Sequence, residues 1–250
     1  MNSFKGKRYW LIGASDGLGE ALAREMSAAG FELVLSARNV EKLVTIIESL
    51  PSKATAIPCD VGSQESVDAA MEKIGDIDGL VFLAAAYWPM SAQNWDSEKC
   101  IEMINVNLLG ACRILAPVVD RFTRHNFGHI VITGTIAAVR GLPSSIGYTA
   151  SKAGLMTLAE CMQIDLQHTK IKVQLINPGF IDTKASAKNN YKMRDVMTPV
   201  AAAKEMLKYM SGSGFSYSYP KTIFTSFIRS LQFLPSALHY KIWSSFVKSR

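Results

Sequence analysis

The chain has few cysteines, and its sequence predicts neither a signal peptide nor a membrane-spanning segment. Its four cysteines show neither a C-x-x-C spacing nor a metal-ligand pattern, which argues against zinc and against a disulfide framework. We expect no stretch to supply the roughly 18 apolar residues that span a bilayer. The first apolar strand also follows Met1 too closely for a signal peptide. We therefore expect a cytoplasmic protein without a metal.

Acidic residues are missing from the C-terminal end of the chain. The formal net charge is +6, and the last acidic residue is Glu205, so residues 1–205 are neutral overall. Six cations follow it: Lys208, Lys221, Arg229, Lys241, Lys248 and Arg250. This asymmetry is typical of contact with an anionic partner. Without a groove-reading motif or a dense basic cluster it does not indicate a nucleic-acid partner.

Short apolar strands alternate with amphipathic helices along most of the chain. The strands run from residues 8–12 to 172–180, and a further short one is predicted near 213–220. Such alternation predicts an α/β fold, a doubly wound parallel sheet with helices on both faces and ligands at the carboxyl ends of the strands. We predict one domain over residues 1–220 and a basic amphipathic helical extension over 221–250.

A glycine turn follows the first strand at once. Gly13, Gly17 and Gly19 have the spacing G-x-x-x-G-x-G between an apolar strand and an amphipathic helix. This arrangement lets backbone approach a pyrophosphate and turns the free N–H groups of the helix toward it. A tight strand-to-helix turn without a ligand would have the same spacing.

Tyr148 and Lys152 lie four residues apart, which places a phenol and an ammonium on one helix face. A free phenol has a pKa of about 10, and a nearby cation is expected to lower it, so Tyr148 could exchange a proton near neutral pH. The same pair also arises by chance on solvated helices.

Together these motifs resemble the short-chain dehydrogenase/reductase family, from about residue 7 to residue 183. Further matches are Asp60 in CDV, the Pro178-Gly179 turn with Thr183, and Asn107 in NVNLLG. The resemblance implies a Rossmann-like fold, a nicotinamide cofactor and the catalytic residues Asn107, Thr135, Tyr148 and Lys152. It implies cofactor contacts at Gly13, Ser15, Gly17, Leu18, Gly19, Arg38, Asp60, Val61, Ala84, Tyr148, Lys152, Pro178, Gly179, Ile181 and Thr183.

The resemblance also assigns a role to each catalytic residue. Tyr148 would exchange a proton with a carbonyl oxygen, and Lys152 would lower the Tyr148 pKa and bind the nicotinamide ribose. Thr135, thirteen residues before Tyr148, stands where the family usually has serine and would hydrogen-bond the same oxygen. Asn107 would hold a water for proton resupply; alternatively it marks a helix kink or is a satisfied interior amide. The stretch LAAAY at 83–87 departs from the family's Asn-Asn-Ala-Gly.

The end of the second strand indicates which cofactor binds. Its residues are Ser36, Ala37, Arg38 and Asn39, without a carboxylate to bind a ribose 2′-hydroxyl. A guanidinium can bind a 2′-phosphate, so the sequence favours NADP over NAD. Asp16, within the glycine turn, argues against this choice. A solvated Arg38 with no ligand is the alternative.

Three stretches are expected to wall the substrate pocket: residues 87–90, 140–143 and 185–196. Their aromatic and methionine content favours a small hydrophobic carbonyl or alcohol substrate, although such side chains also simply fill cores. We predict an NADP-dependent oxidoreductase that interconverts a hydrophobic ketone or aldehyde and its alcohol by hydride transfer, with a lipid or acyl compound as one candidate substrate. The alternative is a catalytically weak NADP-binding scaffold or a redox-sensing interaction protein, which the departures at 83–87 and Thr135 suggest.

The C-terminal extension has two apolar stripes at helical spacing. The first contains Ile223, Phe224, Phe227, Ile228 and Leu231, and the second, after Pro235, contains Leu238, Ile242, Trp243, Phe246 and Val247. With basic and no acidic neighbours, two amphipathic helices of this kind fit peripheral contact with an anionic membrane. They would equally fit packing against the body or a second subunit, and the family resemblance implies a homo-oligomer.

Overall fold

The computed structural model describes the backbone of residues 4–248 and the side chains of residues 4–244. Its centre is a seven-stranded sheet in which all neighbouring strands are parallel, in the order β3-β2-β1-β4-β5-β6-β7. The strands are β1 (Arg8–Ile12), β2 (Glu32–Ser36), β3 (Ala54–Ala56), β4 (Gly79–Phe82), β5 (Gly128–Thr133), β6 (Ile171–Pro178) and β7 (Ser216–Tyr219).

Helices connect the strands and cover both faces of the sheet. They are α1 (Gly17–Ala28), α2 (Val40–Glu48), α3 (Gln64–Lys73), α4 (Ser97–Ile104), α5 (Gly110–His125), α6 (Ile146–Leu166), α7 (Pro199–Met210), α8 (Ile223–Ser230) and α9 (Ser236–Lys248). The predicted doubly wound α/β fold is confirmed. The boundary at residue 220 stays a prediction.

The period-two geometry of the strands explains why both faces are covered. In β1, Trp10 and Ile12 belong to a core shared with α3, α5 and α6, whereas Tyr9 and Leu11 belong to a core shared with α1, α2 and α7. Successive side chains of a strand point to opposite faces, so a continuously apolar strand needs a helix layer on each side.

The strand order reverses at β1, and this reversal opens a crevice at the carboxyl edge of the sheet. The chain runs outward from β1 through β2 to β3, then returns to place β4 on the other side of β1. Connections leave β1 and β4 in opposite directions at such a point, which is where open α/β sheets bind ligands.

One helical stretch that packs on the sheet is long and apolar. Residues 97–125, which combine α4, a π-helical turn at Asn105–Leu109 and α5, are long and apolar enough to cross a membrane by length and composition alone. Polar residues at Glu102, Asn105, Asn107 and Arg113 interrupt this stretch, so it does not contradict the expectation that the chain has no run of about 18 apolar residues. The stretch packs on the sheet, where Ile114, Val118 and Phe122 are buried in the core, because a helix between two layers also requires apolar side chains.

The C-terminal segment folds back onto the loop that follows β5. Ile228 and Leu231 form a small cluster with Ile136, against which Leu142 and Phe224 pack. Arg140 holds this arrangement, since its guanidinium donates to the Leu231 carbonyl at 2.9 Å, to the Leu234 carbonyl and to Ser236 Oγ at 3.1 Å. The two predicted amphipathic helices thus pack on the body of the same chain. The side chains of Phe246 and Val247 lie outside the described residues.

Candidate active site

A cavity of about 680 Å³ opens at the carboxyl edge of the sheet, where the strand order reverses. Every candidate site residue from the sequence lines it except Asn107, which lies beneath it. The lining set comprises Gly13, Ser15, Gly17, Leu18, Gly19, Arg38, Asp60, Val61, Ala84, Thr135, Tyr148, Lys152, Pro178, Gly179, Ile181 and Thr183. The fold therefore brings the glycine turn and the tyrosine–lysine pair into one space.

The glycine turn is shaped by close backbone packing. Gly13 has a φ of +91°, and a Cβ there would lie 2.7 Å from the Ala84 backbone nitrogen. A Cβ on Gly19 would lie 1.9 Å from the Gly13 carbonyl oxygen, and one on Gly17 would lie 2.9 Å from Thr183 Cγ2. Side chains at these positions would collide with backbone or with the far wall, so the turn stays open toward the cavity only with glycine.

Asp16 caps α1 and is neutralised by two lysines. Its carboxylate accepts from the Gly17 N–H at 2.8 Å and from Lys184 Nζ at 2.7 Å, and Lys42 Nζ lies 3.5 Å away. The hydrogen bond from Lys184 is the main cause of a lowered Asp16 pKa. Lys42 and Lys184 were not among the site residues predicted from the sequence. Lys42 could have been predicted, because it follows the end of β2, as Arg38 does. Lys184 could not, because it lies 168 residues from Asp16 and no motif connects the two.

Arg38 lies at the mouth of the cavity beyond β2. Its side chain is 72% exposed, and its only ion pair in the described part of the chain is a loose one of 4.0 Å with Glu102. Asn39 caps α2 by accepting from the Lys42 N–H at 3.0 Å. On the neighbouring loop, the Asp60 carboxylate accepts from the Gly62 N–H at 2.9 Å and so shapes the turn that contains Val61.

Tyr148 lies in the first turn of α6, beside Thr135 in the loop after β5. Burial raises the pKa of Tyr148 to about 12, and a hydrogen bond with the Thr135 side chain opposes that rise. Thr135 Oγ1 also accepts from the Ala137 N–H at 3.2 Å. A phenol in this setting stays protonated at neutral pH.

Burial, and not Lys152, sets the direction in which the pKa of Tyr148 is shifted, so the lowering expected from Lys152 does not dominate. Lys152 is buried, and its Nζ donates to the Thr133 carbonyl at 2.8 Å, so its hydrogen bond goes to the end of β5 and not to the phenol. Burial lowers the pKa of Lys152 to about 8, because the interior disfavours the charged amine. Desolvation dominates the titration of both groups.

Asn107 holds the strand-end loop from below the cavity. Its Oδ1 accepts from the Ala86 N–H at 2.7 Å, while Nδ2 donates to the Ala86 carbonyl at 3.0 Å and to Ser151 Oγ at 2.9 Å. The residue is fully buried within the π-helical turn of residues 105–109. Both structural alternatives from the sequence, a helix irregularity and a satisfied interior amide, describe this geometry. A role for Asn107 in holding water stays a prediction.

The aromatic end of the cavity is closed by contacts between two distant segments. The Tyr87 hydroxyl donates to Asn189 Oδ1. Lys188 Nζ donates to the Tyr87 carbonyl at 2.8 Å and lies 4.4 Å above the Trp88 ring. The segment that begins at Ala185 is therefore fastened over the loop that follows β4.

The three predicted pocket walls have different outcomes. Tyr87 and Trp88 line the cavity, as do Leu142 and Pro143 and the segment from Ala185 to Tyr191 in part. Arg140 does not, since its guanidinium is directed at the C-terminal segment. Arg140 is predicted as a wall residue because it is close in sequence to Leu142 and Pro143, and no local pattern indicates its partners more than ninety residues away.

Thr183, in the segment after β6, contacts the glycine turn after β1. Its methyl group faces Gly17, and its backbone N–H donates to Ser186 Oγ at 3.0 Å, while the Ser186 N–H donates to Thr183 Oγ1 at 3.3 Å. The Thr183 hydroxyl thus binds the N–H of Ser186, the first residue of the 3₁₀ turn at Ser186–Lys188.

The amino-acid sequence of this chain is similar to those of known proteins. Residues 7–194 match the sequence model of the short chain dehydrogenase family. An uncharacterized oxidoreductase of Staphylococcus epidermidis is 28% identical over 187 residues, covering 73% of this chain and 81% of the relative. Nodulation protein G of a Rhizobium species is 26% identical over 215 residues, covering 82% of this chain and 86% of the relative.

Solved structures agree in fold. An alcohol dehydrogenase of Thermococcus sibiricus, complexed with 5-hydroxy-NADP, superposes with a TM-score of 0.77 at 26% identity, over 86% of this chain and 96% of the other. A 3-ketoacyl-(acyl-carrier-protein) reductase of Brucella melitensis, complexed with NADH, has a TM-score of 0.79 at 22% identity, over 86% and 97% of the two chains. With three quarters of its length matched by the family model, this chain belongs to the short-chain dehydrogenase family.

Proposed function

We propose that this oxidoreductase is NADP(H)-dependent and interconverts a hydrophobic ketone or aldehyde and its alcohol. The observation that carries the proposal is the position of Tyr148 beside Thr135, in the same cavity as the glycine turn. A proton-exchanging phenol and a dinucleotide-sized cradle are the two parts that such a reaction requires.

The residues present fit a dinucleotide. A Cβ on Gly13 or Gly19 would collide with neighbouring backbone, so only glycine permits this tight turn. The start of α1 faces the cavity, and its backbone N–H groups are available to a pyrophosphate. Asp60 and Val61 would contact the adenine end, and Lys152, Pro178, Gly179, Ile181 and Thr183 the nicotinamide end. The bound nicotinamide supplies or accepts the hydride.

The chain's own groups supply the proton chemistry. With a pKa of about 12, the Tyr148 phenol is protonated at neutral pH and can donate to a carbonyl oxygen as negative charge develops there. The Thr135 hydroxyl would hydrogen-bond the same oxygen. Lys152, with a pKa of about 8, is close enough to neutrality to return a proton toward the phenol.

The choice of NADP depends on charge at the mouth of the cavity. Arg38 is largely exposed and loosely paired, so its guanidinium is available to a 2′-phosphate. Asp16, which alone would repel that phosphate, is paired with Lys184 and Lys42. The relative from Thermococcus sibiricus, solved with an NADP derivative, supports the same choice.

The substrate is proposed to be apolar because Tyr87, Trp88, Leu142, Phe180 and Tyr191 surround the reacting end of the cavity. A homo-oligomeric state and a cytoplasmic location stay predictions. Peripheral contact with a membrane is a separate proposal, since it depends on the C-terminal segment and not on the catalytic groups.

The test compares wild type with Tyr148→Phe. NADPH oxidation would be followed over a panel of aliphatic and aromatic ketones and aldehydes, and NADPH binding by the change in nicotinamide fluorescence. We expect Tyr148→Phe to lower turnover by at least about a thousandfold with nearly unchanged NADPH binding. Turnover equal to wild type would remove Tyr148 as the proton donor. Binding without turnover in both proteins would favour the scaffold alternative.

A further inference from the structure

The outward side of the C-terminal segment exposes an unusual amount of apolar surface. Ile223 is 91% exposed, Phe233 82% and Tyr240 67%, and Phe227 and Leu238 are also exposed. Ile223 and Phe227 lie four residues apart on α8, so they share one face of that helix. We call these five residues the tail patch. Exposed large apolar groups concentrated within residues 223–240 indicate a contact surface.

The charges beside the tail patch have one sign. Lys221, Arg229 and Lys241 are exposed around it, and no acidic residue follows Glu205 in the sequence. Lys221 lies 5.2 Å from the ring centre of Tyr217, and Arg229 and Lys241 have no acidic partner within the described residues. The nearest acidic residue in sequence, Glu205, accepts from the Tyr217 hydroxyl at 3.0 Å. A C-terminal segment that carries apolar side chains and cations, and no acidic side chain of its own, matches an anionic lipid surface.

A second copy of the chain fits the tail patch less well. In a two-fold symmetric interface the same surface of each copy faces the other, so the cations Lys221, Arg229 and Lys241 of both copies would be brought close together. Like charges that face each other across an interface cost free energy. An anionic membrane supplies the missing negative charge and an apolar layer at the same time.

The inner side of the same segment packs behind the wall of the cavity. Phe224 of α8 stacks on Phe180 with ring centres 6.4 Å apart, and Phe180 lines the cavity. Ile136 and Leu142 line the cavity as well and belong to the cluster that holds α8. Helix α8, which carries Ile223 and Phe227 of the tail patch, therefore contacts the residues that line the apolar end of the cavity.

We propose that the tail patch docks on an anionic membrane surface and that the substrate is a carbonyl compound dissolved in the bilayer. The first half is independent of the chemistry at Tyr148; the second half rests on the proposed function. Docking brings the apolar end of the cavity to the lipid surface, so a poorly water-soluble substrate enters without crossing bulk water.

The docking test uses co-sedimentation of the full chain with vesicles of phosphatidylcholine alone or mixed with phosphatidylglycerol. We expect binding to the mixed vesicles, little binding to phosphatidylcholine alone, and loss of binding in high salt. Ile223→Ser combined with Phe233→Ser should lower the partition coefficient at least about tenfold. Arg229→Gln combined with Lys241→Gln should lower it by about fivefold for each cation removed.

Two matched controls isolate the surface. Val44→Ser with Phe127→Ser removes one aliphatic and one aromatic exposed side chain elsewhere, and Lys73→Gln with Lys170→Gln removes two exposed charges elsewhere. Both controls should bind as wild type does. Equal losses in controls and tail variants, or no binding to the mixed vesicles, would overturn the proposal. A third outcome would also overturn the proposal: the wild type does not bind vesicles, and the tail variants change the molar mass measured by light scattering. That outcome would assign the tail patch to contact with a second copy of the chain.

The delivery half has its own measurement. Wild type and the Ile223→Ser, Phe233→Ser variant would be assayed with hexadecanal dissolved in the mixed vesicles and with a short water-soluble aldehyde. We expect the variant to lose activity only on hexadecanal. If the variant were as active as wild type on hexadecanal as well as on the short aldehyde, the delivery proposal would be overturned. The Tyr148→Phe variant should lose activity on both substrates and still bind vesicles. Failure of the proposed chemistry and failure of docking therefore give different results.

Discussion

The ring of Tyr87 meets the ring of Tyr148 edge-on, with centres 4.9 Å apart and planes at 83°. Tyr87 is itself held by Asn189 through its hydroxyl, so a loop after β4 and a segment after β6 together cover the phenol of α6. Burial is the main cause of the raised Tyr148 pKa. Tyr87 thus acts on Tyr148 as a positioning residue, through desolvation and ring contact.

Replacing Tyr87 should change the titration of Tyr148. Tyr87→Leu removes the covering ring, so we expect the pKa of Tyr148 to fall from about 12 toward its ordinary value of 10.0. Tyr87→Phe keeps the ring and should leave that pKa unchanged. The measurement is the ultraviolet titration of each variant, with the same variant carrying Tyr148→Phe subtracted. Identical curves for Leu and Phe would contradict this role.

The hydroxyl of Thr135 should matter more than its methyl group. Thr135→Val preserves the shape and removes the donor, and we expect it to lower kcat about a hundredfold or more, the usual loss when one hydrogen bond to a developing oxyanion is removed. Thr135→Ser keeps the hydroxyl and should stay within about tenfold of wild type. Steady-state kinetics on one carbonyl substrate would decide. A Val variant as active as the Ser variant would remove Thr135 from the mechanism.

Charge at the cavity mouth should set the cofactor preference. Arg38→Ala should weaken NADPH binding at least about tenfold and NADH binding little, because only NADPH has the 2′-phosphate that a guanidinium binds. Lys42→Ala should weaken NADPH too, since it leaves Asp16 less neutralised. Arg124→Ala, an exposed arginine on α5, is the control. Fluorescence titration with both cofactors measures the effect, and equal losses for NADH and NADPH would contradict it.

Asn107 should contribute strongly to stability. Asn107→Leu removes three hydrogen bonds, one buried and two partly buried, and leaves the Ala86 N–H and carbonyl without their partner. Each buried group left unsatisfied costs about 1–3 kcal/mol, so the free energy of unfolding should fall by about 2–5 kcal/mol. Urea unfolding measures it, with Asn94→Leu at an exposed site as the control. A loss below about 1 kcal/mol would show that the loop is held by other contacts.

Lys152 should give stability a characteristic pH dependence. Its pKa is lowered from 10.5 to about 8 in the folded state by burial, so between these values the unfolded chain binds a proton that the folded chain has lost. Stability from this group therefore rises with pH across that window, by about 3 kcal/mol in total, and is constant below about pH 8. The difference in unfolding free energy between wild type and Lys152→Met should increase from pH 8 to pH 10. A flat or falling difference would contradict the assignment.

Part of this molecule is determined by local sequence patterns. The alternation of apolar strands and amphipathic helices determines the sheet, because each strand buries side chains on both of its faces and each helix buries its apolar side against the sheet. The glycine spacing fixes the turn after β1, because Gly13 and Gly19 have no room for a Cβ. Tyr148 and Lys152 share a helix face by spacing alone. These inferences needed only residues close together in the chain.

Only the tertiary structure decided how distant groups act on one another. The neutralisation of Asp16 by Lys184, the cover of Tyr148 by Tyr87 and the hold of Arg140 on the C-terminal segment join residues far apart in sequence. The pKa of Tyr148 shows this most clearly. The spacing of Tyr148 and Lys152 predicts that the lysine lowers this pKa, but burial of the phenol raises it, and the Lys152 amine donates its hydrogen bond to the Thr133 carbonyl. Desolvation and long-range pairing depend on the whole packed arrangement, which no local pattern contains.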